Sequence, residues 1–253
     1  MKKAKGLLWV LGAAALATLF AIGLPRLAKH LPWQTERWLG DAVGAPAASL
    51  RCSSGESGAP AVAFDRLVRR LYPLYPDDAL LPISFDVLHG RVVNAFATLG
   101  GHIHVIDGLI QKARSPEELA GVLAHEIEHV RNRHIAQGVV ADLLTLGALD
   151  VAVPEHDMEG SRAAYLLLHL KFSRQQEEEA DEKGLARLKA AHVDSSGFEQ
   201  FFSRAEASGE PIPLLSSHPG SESRAALAVK FRGYPVEPVL EPAEWHALRA
   251  ICQ

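Results

Sequence analysis

One stretch, Ser115 to Val130, constrains this chain most, because it places the pattern H-E-x-x-H on a well-marked helix. Ser115 is a preferred N-cap residue, Pro116 suits the first helical position, and Glu118 completes the pattern of a capping box. Apolar residues recur at helical spacing and predict a buried face: Leu119, Val122, Leu123, Ile127 and Val130. The chain is therefore expected to contain a buried helix that carries two histidines.

His125 and His129 are the candidate metal ligands of this helix. Residues four apart point to the same side, so two imidazoles can bind one metal ion. Glu126, next to the first histidine, is the candidate general base. Gly121 lies one turn before His125, so we expect no side chain above the metal. The alternative is that both histidines are ordinary surface residues, since a bare H-E-x-x-H also occurs by chance.

The third ligand is expected from the acidic helix that follows Ser173. Glu177 and Asp181 are four residues apart and so share one face. A catalytic zinc site with two histidines needs a carboxylate and an open position. One of these acids can bind the metal while the other supports a ligating histidine through its second ring nitrogen. Glu178 and Glu179 point elsewhere and are expected in solvent. The alternative is that the whole run is an exposed acidic helix.

A small sheet is predicted ahead of the metal helix, with strands at residues 83–87, 91–98 and 102–106. Gly100-Gly101 indicates a hairpin between the last two strands. In zinc proteases an extended substrate often adds to an edge strand beside the metal, and residues 102–106 are the candidate. His102 and His104 share one face of that strand and are expected in solvent rather than as ligands. Helices are predicted at residues 61–72 and 161–172, with an acidic loop at 150–160.

His134 also follows the metal helix, but it is not expected to be a ligand. The extended motif H-E-x-x-H-x-x-G-x-x-H would need glycine at Asn132 and histidine at Ile135.

The N-terminus is predicted to be a membrane segment. Three lysines precede an uncharged, apolar run from Gly6 to Leu24, which is just long enough to span a bilayer. Cleavage as a signal peptide after Ala17 is the alternative, but the apolar run continues past that point and favours an uncleaved anchor. The charge bias predicts that the N-terminus is inside and the rest of the chain outside.

Charge and cysteine content exclude several kinds of partner and several classes of protein. The first 30 residues hold five basic and no acidic residues, so the rest is more acidic than the total charge of −4 implies, which argues against nucleic acid as a partner. The two cysteines, Cys52 and Cys252, exclude a disulfide-dense scaffold and a cysteine-based zinc site. They either form one disulfide in an oxidising compartment or remain two free thiols. Trp33 and Trp38 are either membrane-interface anchors or core residues.

Five motifs occur in a fixed order: Asn94-Ala-Phe-Ala, Gly100-Gly-His-Ile, Gly108-Leu-Ile, Glu118 to His129, and Ser173-Arg-x-x-Glu-x-Glu-Ala-Asp181. Together they resemble the gluzincin zinc metallopeptidases of the CAAX-prenyl-protease and HtpX-like type. The resemblance implies one Zn²⁺ per chain, held by His125, His129 and Glu177, with Glu126 catalytic and Asp181 supporting the ligands. It also implies an α+β, mainly helical, zincin-like fold with a small sheet and, here, one N-terminal transmembrane helix. Leu99 departs from the proline that many relatives carry before Gly-Gly.

Only one apolar span is visible, so single-anchor or periplasmic quality-control members are better guides than multi-span ones. The expected protein is an endopeptidase acting on unfolded, membrane or envelope proteins from the inner membrane, with its catalytic domain in the periplasm. Three regions are expected: an anchor at residues 1–30, a juxtamembrane segment and loop at 31–60, and a metallopeptidase domain at 61–253. The alternatives are a soluble periplasmic enzyme after signal cleavage, a chaperone-like envelope protein that keeps the zinc site, and a hydrolase of a non-peptide bond.

The resemblance extends to His218-Pro and Arg224, since this family commonly carries a His-Pro followed by an arginine at this place. Both residues are therefore expected beside the active site. His218 would either occupy the fourth zinc position in a self-inhibited state or contact the oxyanion of the transition state. The alternative is a solvated loop histidine without a role.

Overall fold

The architecture is mainly helical, with one small sheet. The computed structural model describes residues 23–43, 50–52, 58–149, 172–210, 212–218 and 224–253, together with Thr18 and Phe20. Ahead of the sheet lie α1 (Leu24–Ala28), α2 (Trp33–Val43), α3 (Ala59–Leu71) and a 3-10 helix (Pro76–Leu80). The strands are β1 (Ser84–Leu88), β2 (Ala95–Thr98) and β3 (His102–Ile106). The later helices are α4 (Asp107–Lys112), α5 (Pro116–Arg131), α6 (His134–Leu149), α7 (Arg174–Ala190), α8 (Ser196–Ala207), α9 (Pro213–Ser217), α10 (Arg224–Lys230) and α11 (Pro242–Leu248).

The sheet has the order β1-β3-β2, with β1 parallel and β2 antiparallel to β3. The predicted hairpin at Gly100 and Gly101 is confirmed, and both residues have φ near +80°, at +84° and +78°, where glycine is favoured. Because β3 is paired on both sides, the expectation that it receives a substrate strand is wrong. In the described part of the chain the outer edge of β2 pairs with no strand, and β2 packs against α5.

The predicted start of α5 is confirmed in part. The Ser115 hydroxyl accepts a hydrogen bond from the Glu118 amide at 3.3 Å, as an N-cap should. The other half of the capping box is absent, because the Glu118 carboxylate accepts from the Arg114 amide at 2.9 Å and binds Arg204 of α8 at 2.5 Å. Glu118 therefore ties two helices together instead of closing its own first turn.

Two glycines set how closely the neighbouring helices approach α5. A Cβ on Gly121 would lie 2.8 Å from the Cα of Phe198, and one on Gly184 would lie 3.2 Å from the amide nitrogen of His125. The expectation that Gly121 leaves space above the metal is thus wrong, since it faces α8. Its role is to let α8 pack against the helix that carries the histidines.

On one side of the α5–α7 pair lies a group of four charges, which we call the arginine cluster. Arg187, Asp78 and Glu128 are buried in it, and Arg131 is partly exposed. Arg187 lies 2.8 Å from Glu128 and 2.9 Å from Asp78, and it also donates to the carbonyl of Leu71 at 2.8 Å. Arg131 lies 2.7 Å from the other Asp78 oxygen. Two guanidinium groups thus meet two carboxylates and join α3, the 3-10 helix, α5 and α7.

A disulfide joins Cys52 to Cys252, with 4.9 Å between their Cα atoms, so the two cysteines are paired. Cys52 belongs to residues 50–52, which run antiparallel beside β1 through a bridge between Arg51 and Leu88. The disulfide thereby attaches the end of the chain to the edge of the sheet.

Helix α2 packs on the same core as the rest of the chain. Glu36 is buried and lies 2.7 Å from Arg133, whose guanidinium group stacks 4.7 Å above the Trp33 ring. Trp38, in contrast, is 68% exposed. Of the two explanations for the tryptophans, core packing therefore holds for Trp33, while Trp38 is on the surface.

Most of the predicted membrane segment lies outside the described residues, as do the predicted loop at 150–160 and all but the last residue of the helix at 161–172. In the ranges that are described, no helix has the length and apolar character needed to cross a bilayer. Helix α1, at the end of the apolar run, packs against α6.

Candidate metal centre

Four side chains offer donor atoms that all lie within 4.8 Å of one another, and we call them the metal cluster: His125, His129, Glu177 and His218. Helix α5 supplies both imidazoles of the motif, α7 supplies the carboxylate, and His218 follows the last residue of α9. The Nε2 atoms of His125 and His129 are 2.9 Å apart and lie 3.6 and 3.4 Å from the Glu177 carboxylate. His218 Nδ1 is 3.1 Å from both His125 Nε2 and Glu177 Oε1.

These distances fit a zinc ion. Tetrahedral zinc with bonds of about 2.0–2.1 Å holds its ligand atoms about 3.3 Å apart. The observed separations, 2.9 to 3.6 Å, bracket that value. Imidazole and carboxylate donors, all buried, are also the ligand types that catalytic zinc uses. A second group of metal-binding residue types, Cys52, His89 and Cys252, is blocked because its two sulfurs form the disulfide.

The protonation states of His129 and Glu177 suit metal binding. Burial lowers the pKa of His129 well below its ordinary value, assisted by the charge of His125, so the ring is neutral as a ligand must be. Burial alone would raise the pKa of Glu177, but its contacts with the imidazoles of His129 and His218 outweigh it and hold the pKa far below its usual range. Glu177 is therefore an ionised acceptor.

Glu126 is buried beside the metal cluster. Its Oε1 atom lies 3.3 Å from Nε2 of His218. Burial raises the pKa of Glu126, while the charges of His218 and His125 act in the opposite direction. The backbone of Ala97 in β2 also opposes the rise, which puts the free edge of the sheet next to this carboxylate.

Asp181 and Arg224 contact the ligands His125 and Glu177. Asp181 lies 2.9 Å from Nδ1 of His125, and its other oxygen accepts from Nε of Arg224 at 2.7 Å. Arg224 also donates to Glu177 Oε2 at 3.2 Å. The structure thus brings every candidate site residue of the sequence into one place, His218 included, which is buried rather than in solvent.

Sequence reasoning missed His134 and Phe172. His134 is buried, with its Nδ1 atom 3.0 Å from Nδ1 of His129, and Phe172 stacks on the His129 ring at 4.0 Å. Glu179, expected in solvent, is half-buried and lies 3.4 Å from His134, while Glu178 is exposed as expected. Helical spacing did not find His134 because the chain leaves the helix at Arg133, whose φ is +61°.

Two other histidines lie elsewhere on the sheet. The expectation that His104 is in solvent is wrong, because it is buried with Nδ1 2.5 Å from Asp86 Oδ1. His102 is partly exposed and lies 2.7 Å from the Ser84 hydroxyl. Neither belongs to the metal cluster.

Comparison with known proteins finds a family match that covers this site. The model of the family described as Peptidase family M48 matches residues 75–231. A "Putative beta-barrel assembly-enhancing protease" of Vibrio cholerae is 32% identical over 192 residues, which are 69% of this chain and 40% of that protein. The "Beta-barrel assembly-enhancing protease" of Escherichia coli K12 is 32% identical over 164 residues, covering 58% of this chain and 34% of that protein.

A mitochondrial protein matches as well. The "Mitochondrial metalloendopeptidase OMA1" of Schizosaccharomyces pombe is 31% identical over 148 residues, covering 56% of this chain and 44% of that protein. The chain therefore spans less than half the length of these curated relatives.

Proposed function

The chain belongs to peptidase family M48, and from this membership and the geometry of the metal cluster we propose that it is a zinc-dependent endopeptidase. The observation that carries the proposal is the convergence of His125, His129 and Glu177 on one point, with Glu126 beside it. Names of relatives that contain "protease" and "metalloendopeptidase" support the same reaction class.

In this proposal His125, His129 and Glu177 hold the ion. Zinc, when bound, supplies a Lewis acid that polarises the scissile carbonyl and lowers the pKa of water at its open position to roughly 7. Glu126 takes the proton of the attacking water and passes it to the leaving amine. Asp181 accepts from Nδ1 of His125 and so keeps its Nε2 turned towards the ion.

We assign His218 to a self-inhibited resting state. Its Nδ1 atom lies among the other three donors, at the distances expected of a fourth ligand. Glu126 and all four donors are buried, so a peptide reaches them only after part of the covering structure moves, and in this proposal that part carries His218. Contact of His218 with the oxyanion remains the competing role, and the two differ in the sign of their effect on activity.

The substrate is proposed to bind as an added strand along β2. This strand has the outer edge that β3 lacks, it packs against α5, and its Ala97 lies next to Glu126. Backbone hydrogen bonds along such an edge would give broad sequence tolerance.

Unfolded envelope proteins are the proposed substrates, and the periplasm is the proposed compartment. The disulfide between Cys52 and Cys252 supports an oxidising compartment. The words "beta-barrel assembly-enhancing" in the names of relatives support a role in envelope quality control. Anchoring to the inner membrane by the apolar run at residues 6–24 completes the proposal, and mass spectrometry of the mature N-terminus tests it against signal cleavage.

The test of the activity is digestion of an unfolded protein by wild type and by Glu126→Gln, with zinc content measured in both. We expect wild type to cleave, and Glu126→Gln to keep zinc and lose cleavage. Glu178→Gln is the matched control, since its carboxylate is exposed on α7. Equal cleavage by wild type and Glu126→Gln, or no cleavage by zinc-loaded wild type, would contradict the proposal.

A further inference from the structure

We propose that His134 is a positioning residue that fixes the tautomer and ring orientation of the metal ligand His129, and that Glu179 fixes His134 in turn. The inference rests on the metal site of the proposed function. His134 does not have the spacing that the extended H-E-x-x-H motif requires of a third ligand. It contacts instead the side of the His129 ring that faces away from the metal cluster.

The two ligands of the motif are backed by different groups. Nδ1 of His125 meets a carboxylate, that of Asp181, at 2.9 Å. Nδ1 of His129 meets Nδ1 of His134 at 3.0 Å, and the described residues offer it no carboxylate. An imidazole therefore does for one ligand what a carboxylate does for the other.

Counting protons gives His134 a single arrangement. Nε2 of His129 faces the other donors and must keep its lone pair for the metal, so its proton is on Nδ1. That proton has to be donated to Nδ1 of His134, whose own proton is then on Nε2. Nε2 of His134 lies 3.4 Å from Oε2 of Glu179, and Lys183 lies 2.6 Å from the other oxygen of that carboxylate. In this series of hydrogen bonds, from His129 through His134 to Glu179, each acceptor thus has one donor.

The backbone and the packing hold His134 in position for these hydrogen bonds. The turn between α5 and α6 is fixed by Arg133, which binds the buried Glu36 and stacks on Trp33. His134 is the first residue of α6, and Phe172 lies against both the His129 and the His134 rings, at 4.0 and 6.3 Å.

A polar cavity of about 690 Å³ adjoins this chain of hydrogen bonds and gives a way to test it. Its lining includes His134 and Glu179, as well as His30. A small molecule that enters from solvent can therefore reach the place of the His134 ring if that ring is removed. Free imidazole is such a molecule, and it carries the same acceptor and donor.

The experiment compares His134→Leu with His134→Asn in zinc-loaded protein and measures the rate of zinc release to a chelator. Leucine fills much of the volume but has no acceptor, so we expect release about 10–100-fold faster. Asparagine keeps an acceptor near the Nδ1 position and should lie between leucine and wild type. The unfolding midpoint of each metal-free variant shows whether it has folded.

Chemical rescue separates positioning from packing. In His134→Ala, added imidazole should slow zinc release and restore the visible spectrum of the cobalt-substituted protein towards wild type, while it should not change His30→Ala. Glu179→Gln should release zinc faster than Glu178→Gln. Wild-type release rates in folded His134→Leu, or no effect of imidazole on His134→Ala, would overturn the inference.

These results are independent of cleavage. If His134→Leu loses zinc faster but wild type cleaves no protein, the peptidase proposal fails and this inference stands. If wild type cleaves and His134→Leu keeps its zinc, the inference fails alone. Wild type that holds no zinc would overturn both.

Discussion

The metal cluster and the arginine cluster are two largely buried polar groups on the same pair of helices, and they satisfy their charges in opposite ways. In the arginine cluster every carboxylate faces a guanidinium group, so donors and acceptors are matched within the protein. In the metal cluster three imidazole nitrogens and a carboxylate point at one another, and their lone pairs converge. The first arrangement is complete in itself and fixes helix packing, whereas the second calls for a cation at its centre.

The largest expected effect is on metal binding. Glu177→Ala should lose most of its zinc, because it removes the only carboxylate of the metal cluster. Glu178→Ala, one position along and exposed, should keep its zinc. Metal content after purification decides between them, and full occupancy in Glu177→Ala would sink the ligand assignment.

The arginine cluster should show the reverse pattern. Arg187→Met leaves Asp78 and Glu128 buried with one partner fewer, and breaking such a network costs about 3–5 kcal/mol of unfolding free energy. Urea denaturation measures the loss. Zinc content per folded molecule should not change.

A surface ion pair gives the control for Arg187→Met. Arg232 binds Glu199 but is half-exposed, so Arg232→Met should cost about 0–1 kcal/mol. If both variants lose the same amount, burial of the arginine cluster has no special role in stability.

A smaller loss of metal is expected when Asp181, which contacts the ligand His125, is changed. Asp181→Asn keeps an oxygen near His125 but removes the charge that binds Arg224, so zinc affinity should fall about 10–100-fold while the fold persists. Competition with a metal-binding dye measures the affinity. An affinity equal to that of wild type would make Asp181 part of the packing only.

How much of this contrast was predictable depends on sequence distance. Helical spacing places His125 and His129 on one face, and Glu177 and Asp181 on one face of a second helix. The family resemblance singled out Glu177 as the ligand, and Glu126 follows from the H-E-x-x-H pattern. The arginine cluster was not predicted, since Arg187 and Asp78 are 109 residues apart and only the tertiary fold joins them. Helical spacing likewise gives no account of His134, which lies beyond a break in the helix.

The prediction of the edge strand was wrong for a related reason. Its strands were predicted close to their true positions, and β3 at its true bounds, but β3 was taken for the edge. Strand β1 pairs with β3 in parallel and skips β2, and such a crossover leaves no trace in the alternation of a single strand. The role of Gly121 could not be predicted for the same reason, since the residue that it faces, Phe198 on α8, is close to it only in the tertiary fold.

His218 sharpens the comparison, because it decides whether the metal cluster is closed at rest. If His218 keeps about 90% of molecules closed, His218→Ala should raise basal cleavage of an unfolded substrate about tenfold. If it instead stabilises the oxyanion, the same variant should lower cleavage by roughly 10²–10³. Steady-state rates beside wild type distinguish the two, and an unchanged rate would leave His218 without a role in cleavage.

The smallest effect is expected from mild acid, which should separate the two clusters. Burial would raise the pKa of Asp78, but its hydrogen bonds from Arg187, Tyr75 and Leu74 outweigh that and hold the pKa below its ordinary value. A carboxyl group with a lowered folded pKa stabilises the fold above its unfolded pKa of about 3.9, and this contribution is lost only as the pH falls further towards the folded pKa.

Between pH 8 and about 5 the contribution of Asp78 should therefore stay constant. Protons compete with zinc for imidazole nitrogens, so the metal cluster should release zinc over a range in which the arginine cluster remains intact. Metal release and far-ultraviolet circular dichroism, followed on the same sample from pH 8 to 5, test this order. Because α5 and α7 carry both clusters, unfolding in step with zinc release would mean that the ion, and not the arginine cluster, holds the two helices together.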